Sequence, residues 1–200
     1  MGELYTKRNP QSIEEFDRIY LKDYNVTRGS MNEEFLAQLP KNLNILEVGA
    51  NIGSQLEFLR QMGFSDLTGV EINDFAISEA KRIHPQVNVI KGSGFELPFR
   101  DASYDLVFTS GVLIHISPDD IQRIIAEMHR TSRRYIWGFE YFAPIYTEVT
   151  YRGKKDLLWK TDFCKLFLDT FPDLTLVHEK KYPMTDGLNV SQMYLLEKRT

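Results

Sequence analysis

Apolar and polar positions succeed one another along the chain in a rhythm that predicts strands alternating with helices. Residues 43–48 form a short apolar run that opens onto Gly49, the pattern of a buried strand. Ile52, Leu56 and Leu59 follow at helical spacing, and Gly63 marks a helix stop. Residues 67–71 predict a second strand, Ala76, Ala80 and Ile83 the next helix face, and residues 87–91 a third strand. A fourth strand, 104–109, follows the turn residues Asp101 and Ser103. Ser117-Pro118-Asp119-Asp120 predicts a helix start, with a capping serine, a proline at the first position and acids in the first turn. Ile121, Ile124, Ile125 and Met128 give that helix one apolar face. Residues 135–139 predict a fifth strand, Thr161-Asp162 opens a helix through Phe163, Leu166 and Phe167, and 174–177 and 193–196 close the chain as two more strands.

Two stretches depart from this rhythm. Ser12 and Glu15 form a capping box ahead of Ile13, Phe16 and Tyr20, so residues 1–40 are expected to make an N-terminal helical cap. Residues 143–160 show no period and are rich in Tyr, Thr and Lys, an irregular insert expected on the substrate side. Strands alternating with helices of this length predict an α/β fold: a parallel sheet with helices on both faces, in one domain over 1–200. The last two of the seven strands have no helix between them and are expected to pair antiparallel at one edge.

Composition narrows the classes. In 200 residues, 42% are hydrophobic and 26% charged, which excludes a disordered chain. The apolar runs fall far short of the roughly 20 residues of a membrane span, so no membrane partner is expected. The first residues lack the apolar core of a secretory signal. Lys and Arg number 24 against 28 Asp and Glu, and the bases are scattered, which argues against a nucleic-acid partner. Arg130, Arg133 and Arg134 read as a solvated helix end. A single cysteine, Cys164, excludes an internal disulfide, reads as a core residue and suits a cytoplasmic protein. No His/Cys cluster suggests a metal. Monomer and homodimer are both open.

The chemistry concentrates where strands end. In Glu47-Val48-Gly49-Ala50-Asn51-Ile52-Gly53 a strand stops, glycines make the turn and a helix begins. A nicotinamide loop would read G-x-G-x-x-G. Here the glycines stand four apart with Asn51 where a middle glycine can stand, which fits a nucleoside–amino-acid cofactor better than a pyrophosphate. Glu71, followed by Ile72, ends the second strand and can accept hydrogen bonds from ribose hydroxyls. Gly92-Ser93-Gly94-Phe95 can meet an adenine edge. The run from Asp105 to Gly111, with Ser110 and Gly111 at its end, leads into Val112-Leu113-Ile114-His115. Asp105 begins its strand and reads as structural.

These residues resemble the class I S-adenosylmethionine-dependent methyltransferases over roughly residues 43–141. Glu47-x-Gly49-x-Asn51-x-Gly53 matches their first motif apart from the middle glycine, and Glu71 their acidic second motif. Ser93 stands where that family often has aspartate. Asn51-Ile52-Gly53, the run from Phe108 to Ile116, Glu140-Tyr141, Tyr151-Arg152-Gly153 and Asp162-Phe163 look like the methylases associated with pseudaminic acid and surface-polysaccharide biosynthesis. The resemblance implies a Rossmann-like class I methyltransferase fold, S-adenosylmethionine as methyl donor, S-adenosylhomocysteine as product and no metal. It implies cofactor contacts from Glu47, Gly49, Ala50, Asn51, Gly53, Glu71, Ile72, Ser93, Gly94, Phe95, Ser110 and Gly111. Arg28 either joins them at the methionine carboxylate or lies on the surface. Toward the acceptor stand Tyr24, Tyr151 and three candidate catalytic residues, His115, Glu140 and Tyr141. His115 is a base or a helix cap. Glu140 holds the acceptor or is a strand-end charge with a packed tyrosine beside it. Arg152 clamps an anionic group or pairs with Asp156. The acceptor expected is a small polar molecule, a nucleotide-activated sugar by preference. The Asn/Asp-Pro-Pro-aromatic motif of amino-methyltransferases is replaced by Thr109-Ser110-Gly111-Val112, which argues against nucleic-acid and protein-glutamine acceptors. The alternatives are a non-catalytic scaffold on the same fold, a methyltransferase of another small metabolite and a nicotinamide oxidoreductase.

Overall fold

The apolar run before Gly49 forms β1 (Asn44–Val48), with Ile45, Leu46 and Val48 buried. It belongs to a computed structural model that describes residues 6, 8–151 and 153–199. The chain divides into two units, Met1–Pro98 and Phe99–Thr200, and seven strands make up its main sheet, an α/β arrangement that is mostly parallel.

In the first unit β1, β2 (Asp66–Glu71) and β3 (Asn88–Lys91) are parallel in the order β3-β2-β1. Val48 pairs with Val70 and Glu71 with Lys91, so β2 runs one residue past the end of β1. They are accompanied by the helices α1 (Ile13–Tyr24), α2 (Arg28–Leu36), α3 (Ser54–Gln61) and α4 (Asp74–Ile83). The first two lie within the stretch expected as a helical cap. Ser12 Oγ accepts from the Glu15 amide at 3.2 Å, while the Glu15 carboxylate accepts from the Gln11 amide at 3.1 Å. Leu56 and Leu59 on α3, Ala76 and Ala80 on α4, and Val70 and Val89 of the strands are all buried. Gly69 in β2 is required by close packing. A Cβ there would meet the Ala50 Cβ at 2.6 Å, so the turn after β1 rests directly on β2.

In the second unit β4 (Tyr104–Ser110) runs parallel to β5 (Ser132–Tyr141), and α5 (Ile121–Thr131) packs on both. Sequence placed the helix start at Ser117. The helix begins instead at Ile121 behind Asp120, and 117–120 form a turn in which Ser117 Oγ donates to the Asp120 carboxylate at 3.2 Å instead of capping an amide. Arg130 lies in the last turn of α5, and Arg133 and Arg134 stand exposed at the start of β5, each of the three also in an ion pair. Arg130 pairs with Glu127 and Asp101, Arg133 with Asp105 and Arg134 with Glu197.

The insert is not irregular throughout. β6 (Thr147–Glu148) and β7 (Trp159–Lys160) pair antiparallel as a short ribbon. After α6 (Phe163–Thr170) come β8 (Leu174–Pro183) and β9 (Val190–Lys198). Both extend well beyond the apolar cores that announced them. They pair with each other antiparallel, as expected, and the order is β4-β5-β9-β8, with the reversed strand β9 between two strands of the opposite sense. Trp137, Met193, Leu196, Phe163 and Phe167 are fully buried in this unit.

Candidate active site

In the first unit, the turn after β1 is built from left-handed backbone. Gly49, Asn51 and Gly53 have φ of +77°, +48° and +78°. Asparagine is among the few side chains that adopt this region at small cost, which is how Asn51 stands at a position suited to glycine. Gly53 has no such substitute, because a Cβ would lie 2.8 Å from Val87 Cγ2. The Gly49 and Ala50 amides donate to the Val70 carbonyl at 2.8 and 3.0 Å. Glu71 fixes the turn from the neighbouring strand. Its Oε2 accepts from the Asn51 amide at 2.9 Å and its Oε1 from the Ile72 and Asn73 amides at 2.8 Å. A carboxylate offers about four acceptor positions, so three are used within the protein and one remains on Oε2. Ile72, next to it, is 68% exposed. Beyond β3, the Gly92 amide donates to the Glu71 carbonyl at 3.0 Å, and Ser93 Oγ accepts from the Phe95 amide at 3.2 Å, which closes a turn around Gly94.

Arg28, the first residue of α2, is fully buried and not a surface arginine. Its Nε donates to Asn32 Oδ1 at 2.9 Å and its Nη1 to Tyr20 Oη at 3.4 Å, with Tyr24 stacked on the Tyr20 ring at 5.3 Å. Glu47 is buried in the same unit. Burial pushes its carboxyl well above the usual range, while the Arg28 charge draws it back. Around these groups stand several buried polar atoms that no protein group satisfies: Glu47 Oε2, Asn51 Oδ1, Ser54 Oγ, Gln55 Oε1 and Asn32 Nδ2. Buried polar atoms are normally paired, so these unsatisfied atoms along the glycine turn and α3, with Asn32 beside Arg28, fit a zwitterionic ligand. Glu47 offers a carboxyl group to an ammonium and Arg28 a positive charge to a carboxylate. The free Glu71 position fits a ribose hydroxyl, and the exposed Ile72 an adenine face. The residues present therefore fit S-adenosylmethionine. Asn32, Ser54 and Gln55 were not expected. Their only signal was polarity at positions the helical pattern buries.

In the second unit the turn after β4 is held in a similar way. The Gly111 amide (φ +67°) donates to the Phe139 carbonyl at 2.8 Å, and the Val112 and Ile114 amides donate to Glu140 Oε1 and Oε2 at 3.2 and 3.3 Å. Glu140 is only 1% exposed, and burial pushes its carboxyl up to about 7 against the pull of these bonds. It is thus enclosed in the turn it fastens. Ser110, at the end of β4, is half-buried. The single 3₁₀ turn Leu113–His115 ends on an exposed His115, whose Nδ1 lies 2.8 Å from the Leu157 carbonyl of the insert. The Tyr151 ring meets the imidazole edge-on at 5.8 Å. Tyr141 is half-buried, with the Lys160 ammonium 5.3 Å from its ring. Arg152 lies outside the described residues. Cys164 is buried and its thiol pushed up to about 12, which suits a core residue. Among the described residues, no group of three or more His, Cys, Asp or Glu is placed to hold a metal, and no helix is long and apolar enough to cross a membrane.

Comparison with known proteins agrees with this geometry. Residues 45–134 match the family model described as a methyltransferase domain. An uncharacterized methyltransferase of Synechocystis sp. is 32% identical over 105 residues, which cover 49% of this chain and 49% of that protein. The chain thus spans about half the length of that relative. Among solved structures, the PH0226 protein of Pyrococcus horikoshii has a TM-score of 0.74 at 14% identity, covering 98% of this chain and 99% of its own. The Burkholderia thailandensis 1,6-didemethyltoxoflavin-N1-methyltransferase, bound to its substrate and S-adenosylhomocysteine, has a TM-score of 0.67 at 17% identity, covering 86% and 76%. Residues 45–134 thus match a methyltransferase domain, on a Rossmann-like fold shared with these solved structures.

Proposed function

We propose that this protein transfers the methyl group of S-adenosylmethionine to a nitrogen or oxygen of a small polar acceptor. The observation that carries the reading is the gathering of unsatisfied buried polar atoms at the glycine turn of the first unit, beside Arg28 and Glu47. Bound there, S-adenosylmethionine would supply an electrophilic sulfonium methyl. The protein's share is to hold the ligand's charged end and ribose, and to orient the acceptor for in-line attack. Arg28 holds the carboxylate, Glu47 and Asn51 the ammonium, Glu71 a ribose hydroxyl, and Ser93, Gly94, Phe95 and Ile72 the base. Tyr24 is the first unit's candidate for acceptor contact, and Tyr141, Tyr151 and His115 are candidates within the second unit.

For the acceptor we favour a nucleotide-activated sugar or a sugar-like intermediate. The support is the likeness of the runs around His115, Tyr141 and Tyr151 to methylases associated with surface-polysaccharide synthesis. Lys160, half-buried against Tyr141, adds a cation beside an aromatic ring. Calorimetry with S-adenosylmethionine, S-adenosylhomocysteine and NAD tests the cofactor. The expected result is micromolar binding of the two sulfur compounds and none of NAD. A protein that binds neither sulfur compound refutes the reading. Methyl-labelled S-adenosylmethionine offered with a panel of nucleotide sugars then tests the acceptor class. A cofactor-binding protein that labels none of them, but labels an unrelated metabolite, refutes the sugar alone.

A further inference from the structure

We propose that Asn32 determines the specificity of the cofactor site: its side-chain amide gives the ligand's carboxylate a second donor beside Arg28, so that the site selects ligands with a carboxylate on their amino-acid end. The inference rests on the methyl-transfer reading above and concerns groups of the first unit alone. Arg28 and Asn32 are both fully buried on α2. Four residues apart on a helix, two side chains share a face. Arg28 Nε donates to Asn32 Oδ1 at 2.9 Å, and Arg28 Nη1 donates to Tyr20 Oη of α1 at 3.4 Å. A guanidinium can only donate, so the first contact fixes the amide's orientation. Its oxygen turns to Arg28 and its nitrogen away.

Nδ2 is thus a buried donor that no protein group satisfies. The unsatisfied oxygens of the same unit, Glu47 Oε2, Asn51 Oδ1, Ser54 Oγ and Gln55 Oε1, make no bond to it. A stranded donor is costly to a fold, so the position is explained by an acceptor that arrives from outside. A carboxylate only accepts, and its two oxygens can take an amide N–H and a guanidinium N–H together. The first turn of α2 does not compete for it through the Gly29 and Ser30 amides. These donate to Asp17 Oδ1 at 2.9 Å and to Thr27 Oγ1 at 3.1 Å. The Arg28 charge is felt at Glu47, so a carboxylate held at Arg28 and an ammonium held at Glu47 can belong to one α-amino acid.

The choice of an amide over a carboxylate at this position carries the same message. An aspartate would also accept from Arg28 Nε, and more strongly. Its second oxygen would then stand where Nδ2 stands and repel an incoming carboxylate. Asparagine orients the guanidinium, adds no negative charge and turns its other end into a donor.

Two ligands isolate the carboxylate: S-adenosylhomocysteine and its decarboxylated analogue, which keeps the nucleoside, the sulfur and the ammonium. Calorimetry on the wild-type protein is expected to show the analogue binding about a hundredfold more weakly, the scale of charge-assisted hydrogen bonds. Asn32→Asp keeps the acceptor for Arg28 Nε. In this variant S-adenosylhomocysteine should weaken by roughly tenfold or more and the analogue by less than about threefold, so that the preference collapses. A residue that serves only the fold would weaken both ligands alike. NMR of the wild-type side-chain amide reads the same contact without a variant. The Asn32 NH₂ signals should shift and exchange more slowly with S-adenosylhomocysteine, and change little with the analogue. Equal wild-type affinities for the two ligands, a preference unchanged in Asn32→Asp, or Asn32 signals indifferent to S-adenosylhomocysteine each overturn the inference and leave methyl transfer standing. Wild-type protein that binds no S-adenosylhomocysteine overturns the cofactor reading itself.

Discussion

The two units use one device twice. In each, a strand ends in a turn, and a glutamate one residue past the pairing partner of that strand's last residue reaches over to hold the turn's amides. Val48 pairs with Val70 and Glu71 follows, while Ser110 pairs with Phe139 and Glu140 follows. The first amide of each turn, Gly49 or Gly111, donates to the partner strand at 2.8 Å. The two carboxylates then diverge. Glu71 is half-exposed, makes three bonds of 2.8–2.9 Å and keeps an acceptor position. Glu140 is buried, makes longer bonds of 3.2 and 3.3 Å and is pushed up to about 7. On the function we propose, the same placement serves a ligand in one unit and the fold in the other. Solvent access and unused hydrogen-bonding capacity distinguish them, not residue type.

Removing each glutamate should expose that division, and the larger stability loss belongs to the second unit. Glu140→Ala leaves the Ile114 and Val112 amides without their acceptor in a largely buried turn, at about 1–3 kcal/mol for each group fully stranded. A loss of about 2–4 kcal/mol is expected in urea unfolding, with affinity for S-adenosylmethionine nearly unchanged. A variant as stable as wild type would end the view of Glu140 as a fastening.

The pH dependence sharpens the contrast. The Glu140 carboxyl titrates near 7 in the folded protein against an ordinary 4.5. The folded state therefore holds this proton more tightly than the unfolded chain does, and stability falls as pH rises from about 4.5 to 7. At most the fall is on the order of 3 kcal/mol. Glu140→Gln has no such titration. The stability of wild type minus that of the variant should thus decline between pH 5 and pH 8, and a flat difference would show that the carboxyl is not perturbed.

Glu71→Ala should reverse the pattern. Its three amides lie nearer solvent and can be rehydrated, so the unfolding midpoint should move little. Affinity for S-adenosylmethionine should fall by roughly 1.5–3 kcal/mol, the scale of a hydrogen bond to a charged group. An unchanged dissociation constant by calorimetry would remove Glu71 from the cofactor site.

What could be read from the sequence follows from the range of the forces involved. The β1–turn–α3 element was legible because strand burial, left-handed turn positions and helix start are all local, and Gly49, Asn51 and Gly53 are adjacent in the chain. Each of the seven main strands announced itself by an apolar core. The edges of β8 and β9 did not, since their outer residues pair by backbone and are mostly polar or charged. The ribbon of β6 and β7 was invisible because two-residue strands have no period. Arg28 was left open between cofactor and surface because its burial depends on Tyr20, Asn32 and Glu47, which only the fold assembles. The roles of Glu140 and Leu157 were hidden for the same reason. One acts through amides 26 and 28 residues away and the other through a carbonyl 42 residues from His115, and backbone groups leave no trace in residue type.

Ile72 offers the finest test of the first unit's openness. An isoleucine 68% exposed beside a carboxylate contributes little to a core, so Ile72→Ser should leave the unliganded unfolding transition in place. If the side chain covers one face of the adenine, the same change removes apolar area from the complex only. At about 25 cal/mol per Å², the loss is on the order of 1 kcal/mol, a several-fold weaker dissociation constant. Calorimetry of the variant reads this directly, and Ile72→Leu, which keeps the apolar surface, should restore most of the affinity. A weaker dissociation constant together with a lowered unfolding midpoint would instead make Ile72 a structural residue. That result would leave Glu71 and the unsatisfied polar atoms of Glu47, Asn51, Ser54 and Gln55 as the signs that this turn, unlike its counterpart in the second unit, is open to a ligand.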